Sequence, residues 1–81
     1  MRLPRDLSGD DLIQGLYGLG YQLTRQTGSH IRLTRETPEG AQHVTIPRHK
    51  ALRLGTLNGI LTAVSGHLDL PKDELVRRLL K

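Results

Sequence analysis

A chain of 81 residues with no cysteine and a formal net charge of +4 has room for one small domain, residues 1–81. Burying roughly 60% of its unfolded surface puts it near the lower limit for folding without staples. Disulfides and thiolate metal sites are excluded, a reducing compartment is the natural setting, and Asp6, Asp10 and Asp11 break any early apolar run, so the expectation is a cytoplasmic protein with neither signal peptide nor membrane span.

Ser8 followed by Asp11 has the form of a capping box with the shorter acid, and Leu12, Ile13, Leu16, Tyr17 and Leu19 recur at helical spacing, which predicts a helix over about 9–19. Residues 21–27, 31–36 and 42–46 alternate apolar and polar, punctuated by Gly28-Ser29 and by Thr37 to Gly40, and read as three strands of a meander. Thr56 is the expected cap of a second helix with an apolar stripe of Leu57, Ile60, Leu61 and Val64, and Gly66 its expected stop. Pro71 opens a third segment in which Leu75, Val76, Leu79 and Leu80 repeat the spacing.

Parity sets the register, because opposed residues on antiparallel strands share a face. A type I turn at Thr37 to Gly40, with Pro38 second, pairs Leu33 with Val44, Ile31 with Ile46, Arg32 with Thr45 and Thr34 with His43. At the other turn a two-residue loop would set Leu23 beside Thr34, whereas a three-residue loop aligns Leu23 with Leu33 and Gln26 with His30. The odd-length loop is expected, with Gly28 or Ser29 at an unusual backbone angle. Leu23, Ile31, Leu33, Val44 and Ile46 then face the helices, and Thr24, Gln26, His30, Arg32, Thr34, His43 and Thr45 form a polar open face.

The excess charge lies mid-chain. Residues 21–55 hold Arg25, Arg32, Arg35, Arg48, Lys50 and Arg53 against Glu36 and Glu39, while the remainder is balanced. That is the pattern of a surface meeting a polyanion, with a solvated basic sheet as the plain alternative. The chain has no Phe or Trp, so base stacking of the kind used by single-strand readers is not available on the sheet. Any nucleic acid would be held through phosphate, sugar and shape.

His30 sits at a strand start, near Arg32 across the pleat and within reach of Pro47-Arg48-His49-Lys50. Histidine titrates near neutral pH and arginine and lysine do not, so together they can hold a phosphodiester and move a proton on it. Arg48 and Lys50 suit phosphate contact, Arg as a two-pronged donor and Lys as a point charge. Ser29 reads as a turn residue whose hydroxyl could touch substrate, His49 as a residue that ties down its loop, and His43 and His67 as surface residues. A metal site of His30, His43 and His49 lacks ligand spacing. Arg77, Arg78 and Lys81 form a basic end that offsets the last helix dipole. Leu68, Leu70, Leu75 and Leu79 either finish the core or dock on a partner.

With Gly20-Tyr21, Gly28-Ser29-His30, residues 44–50 (VTIPRHK) and Gly55-Thr56-Leu57 followed by Ile60-Leu61 in order, the chain resembles the HicA toxin family over nearly its whole length. The resemblance implies an α-β-β-β-α fold similar to double-stranded-RNA-binding domains: an α+β three-stranded antiparallel sheet with helices on one face, plus a short C-terminal helix. It further implies an mRNA interferase of a type II toxin-antitoxin system, with His30 catalytic, messenger RNA as substrate and a HicB-like antitoxin as partner. Ser29, Arg32, Arg48 and Lys50 are the expected RNA contacts. No cofactor, metal or membrane is called for. The alternatives are a non-catalytic RNA-binding module of the same fold and an inactive remnant that only holds an antitoxin.

Overall fold

The computed structural model describes residues 7–79; Asp6, Leu80 and Lys81, which figure in the sequence expectations, lie outside the described residues. Helix α1 spans Gly9–Tyr17, strands β1, β2 and β3 span Gln22–Thr27, His30–Thr37 and Gly40–Pro47, and helices α2 and α3 span Leu54–Leu68 and Lys72–Leu79. The strands form one antiparallel sheet in the order β1-β2-β3. This is the α+β arrangement the sequence predicts, including the short last helix.

The capping box at α1 is present: the Ser8 hydroxyl accepts the Asp11 N–H at 3.0 Å and the Asp11 carboxylate accepts the Ser8 N–H at 3.4 Å. Such a cap contributes about 1 kcal/mol. The helix stops at Tyr17 rather than at residue 19, because the N–H groups of Leu19, Gly20 and Tyr21 fold back onto the Leu16 and Tyr17 carbonyls. That tight turn drops the Tyr21 ring into the core, where it is 1% exposed.

The expected limits of α2 need correction. It starts at Leu54, with Arg53 at the cap position making no side-chain capping bond, and it runs through Gly66 to a left-handed residue, Asp69, at φ +54°. Leu68 packs against the core, and this burial outweighs the roughly 1 kcal/mol that a helical glycine costs. Gly59 lies inside the same helix with open space where a Cβ would stand. Gly59→Ala should therefore raise stability by about 0.5–1 kcal/mol, seen as a higher urea midpoint at unchanged slope.

The core joins Leu12 and Leu16 of α1, Ile31 and Leu33 of β2, Val44 and Ile46 of β3, the α2 stripe and Leu75 of α3. Leu68 and Leu79 pack against it, so those two leucines finish the interior. On the last helix Arg77 and Arg78 pair with Glu74 at 2.7 and 3.2 Å and hold that carboxyl below its ordinary range.

The β2–β3 register matches the parity reading at every pair, from His30 opposite Pro47 to Thr37 opposite Gly40. The first turn does not. It has two residues, Gly28 and Ser29, with Gly28 at φ +58°, the positive angle that a type II′ hairpin turn takes at its first central residue. Leu23 nevertheless opposes Leu33, because the extra residue is absorbed as a bulge at Thr24 rather than in the loop. Leu23 is also 46% exposed: α1 and α2 pack over β3 and leave β1 as an overhanging edge, exposed at all its positions.

Candidate active site on the open sheet face

The bulge rearranges the face away from the helices. Between the turn and Thr24, Thr27 opposes His30, Gln26 opposes Ile31 and Arg25 opposes Arg32. Gln26 therefore turns to the helix side, where it lines a groove with Ile13, Tyr17, Leu23 and Ile31. Arg25 and Thr27 take the open side, contrary to the phase expected for β1. Three cross-strand rows result: Thr27, His30 and Pro47, then Arg25, Arg32 and Thr45, then Thr34 and His43 joined by Thr24. Consecutive rows are about 7 Å apart, two residues along a strand.

His30 is exposed at the first position of β2, and Arg32 is half-buried in the next row. The third row is a closed polar chain. Thr24 Oγ1 lies 2.7 Å from Thr34 Oγ1, and that hydroxyl lies 2.9 Å from His43 Nδ1. Thr34 is thereby buried, at 6% exposed, with its hydroxyl partnered, as a polar group out of water requires. His43 is exposed, as expected of a surface residue, and its ring is held by this chain.

Next to His30, the end of β3 is fastened to two elements. The Arg48 N–H donates to the Ser29 carbonyl at 2.7 Å, closing Pro47-Arg48 against the first turn, and the Gly9 N–H donates to the His49 carbonyl at 2.9 Å. The loop is thus tied by the backbone of His49, not by its imidazole, which is exposed. Gly9 is required here, since a Cβ at that position would stand 2.1 Å from the Pro47 carbonyl oxygen. Arg48 points its guanidinium toward α1, where Nε and Nη2 donate to the Asp10 carboxylate at 2.8 and 3.3 Å. This bond and the nearby negative charge raise the Arg48 pKa. Two of its five N–H donors are occupied and three are left for a ligand. Lys50 is exposed in the bend that follows.

His67 is not a solvated residue. Its Nδ1 lies 2.8 Å from the Tyr21 hydroxyl, and its carbonyl accepts from Gln42, whose Oε1 accepts from Arg35. Burial, then the charge of Arg35, then His43, lower the His67 pKa, and burial raises that of Tyr21. Because the folded pKa of His67 lies below its unfolded value of about 6.5, the unfolded chain takes up this proton first as pH falls. Its contribution is present above pH 6.5 and lost as pH drops through the folded value. Melting temperature should fall between about pH 7 and 5, and His67→Gln should flatten that part of the profile.

The structure thus brings Ser29, His30 and Arg32 to one end of the sheet beside the Arg48–Lys50 segment, with the Arg48 side chain engaged on the α1 side. Arg25 stands on the open face against its expected phase: with an odd loop it would point inward, and no sequence signal distinguishes a loop residue from a bulge residue here. Among the described residues, no three His, Asp or Glu side chains converge as metal ligands, and no helix is long and apolar enough to cross a membrane.

The helix-free face of this α+β domain carries His30 and two opposed arginines with no ion-pair partner among the described residues, a charge pattern suited to a polyanion. A family model for the HicA toxin of bacterial toxin-antitoxin systems matches residues 9–65, well over half the chain, and the protein belongs to the HicA toxin family. It is a toxin of a toxin-antitoxin pair, in a family of ribonuclease toxins with RNA targets and cognate antitoxins. A search of curated proteins gives no match.

Proposed function

We propose that the chain, as a single domain, is an mRNA interferase that cleaves RNA without metal or other cofactor, using His30 for proton transfer, and that a HicB-like antitoxin neutralises it by covering the open face. The observation that carries this reading is the setting of His30: exposed, on the helix-free side, one row from Arg32 and opposite Pro47 where the Arg48–Lys50 segment leaves the sheet. In the reaction a 2′-hydroxyl gives its proton to a base, O2′ bonds to phosphorus, the P–O5′ bond breaks and the 5′-oxygen takes a proton. Lys50 and the Ser29 hydroxyl would hold the phosphate oxygens as charge builds on them, Arg32 would hold RNA phosphate one row along the face, and Arg48, whose guanidinium is drawn to Asp10 on the α1 side, would contact the strand where it passes the sheet edge.

The experiment is incubation of labelled RNA in chelator with the protein and with His30→Ala. Cleavage ending in a 2′,3′-cyclic phosphate, abolished by the substitution and by antitoxin, is the expected result. Salt-sensitive binding with no cleavage by either protein would instead favour a non-catalytic RNA-binding module.

A further inference from the structure

Arg25 and Arg32 are directly opposed across β1 and β2 on the open face. Like charges at such positions repel and lower sheet stability. No ion pair within the described residues relieves them, since the three present involve Arg48, Arg77 and Arg78. The nearest carboxylate on the same face of β2 is Glu36, four residues and about 13 Å along the strand. A repulsive pair that is left without a counter-charge, and is brought into phase by a bulge, is the geometry of a site completed by an external anion. The Cα atoms of opposed residues lie about 4.5–5.5 Å apart, so two guanidinium forks can converge on one tetrahedral anion.

We propose that Arg25 and Arg32 form a two-arginine clamp on the RNA phosphate adjacent to the scissile linkage, fixing the strand so that the neighbouring ribose-phosphate lies over His30. The row spacing of about 7 Å sets that offset. The clamp rests on the reading of this face as the RNA site. It favours RNA over an acidic protein surface because the pair adjoins the histidine row instead of standing apart from it.

The test is made in the His30→Ala background, where RNA binds without turnover. Affinity for a short single-stranded RNA is measured across salt concentrations for that protein and with Arg25→Gln, Arg32→Gln and both added. Each single change should weaken binding roughly threefold to tenfold. The double change should lower the log–log salt slope by about 0.7, one phosphate contact, with less than additive loss of affinity. Arg77→Gln, an equal loss of charge at a residue paired with Glu74, should leave the slope unchanged. With His30 intact, Arg25→Gln should raise KM and keep kcat within a fewfold. Melting temperatures should hold or rise as the repulsion is removed.

Unchanged affinity and slope in Arg25→Gln would overturn the clamp, as would weakened antitoxin binding with RNA binding intact. If His30→Ala cleaves as fast as the parent, the assignment of proton transfer to His30 fails, and if neither protein cleaves, the nuclease reading fails. If His30→Ala alone is inactive while Arg25→Gln behaves as its background, only the clamp fails.

Discussion

His30→Ala is expected to lose cleavage by about a hundredfold to ten-thousandfold, the range a positioned proton-transfer group supplies, with melting temperature unchanged because the side chain is exposed. His30→Gln, which can donate a hydrogen bond but cannot exchange a proton near neutral pH, should be about as inactive. A substrate with a 2′-deoxy residue on the 5′ side of the scissile phosphate should bind and remain uncut. Equal rates for parent and both variants would remove His30 from the chemistry.

Gly9→Ala is expected to have the second largest effect, and its origin lies outside the sheet. The added methyl carbon would stand 2.1 Å from the Pro47 carbonyl oxygen and 2.9 Å from the Arg48 Cα. Both are backbone atoms that no rotamer change can move aside. Overpacking of this kind costs about 1–3 kcal/mol. Relief requires α1 to draw back from the end of β3, stretching the bond from the Gly9 N–H to the His49 carbonyl and the Asp10–Arg48 pair. Stability and cleavage should fall together, whereas Gly59→Ala, with open space at its Cβ, should raise stability and leave cleavage alone. A Gly9→Ala protein with parental melting temperature and rate would show that the β3 end does not depend on this approach.

Element order and the β2–β3 ladder were legible because local signals agreed: the Ser8–Asp11 box, alternation in the strands and a Pro38 turn whose length leaves one apolar register. The first hairpin was only half legible. Pairing of Leu23 with Leu33 follows from hydrophobic matching, but a loop residue and a bulge residue satisfy that match equally, and they place Arg25 on opposite faces. The α2 limits differ from the local signals at Thr56 and Gly66: the helix opens at Leu54 without a side-chain cap, and packing of Leu68 on the core carries it past Gly66. His30 was findable from the Gly28-Ser29-His30 motif. The partners of His67, Tyr21 and Gln42, come from distant segments, and no local pattern announces such a cluster.

The Thr24 bulge acts as a phase shifter between two jobs of a single strand. On its amino-terminal side the strand follows α1 and keeps Leu23 opposite Leu33 on the helix side; on its carboxyl-terminal side the hairpin alone dictates which way Arg25 projects. The buried Tyr21 and the Leu23–Leu33 pair thus hold one phase upstream of the bulge, while the hairpin holds Arg25 opposite Arg32 downstream of it.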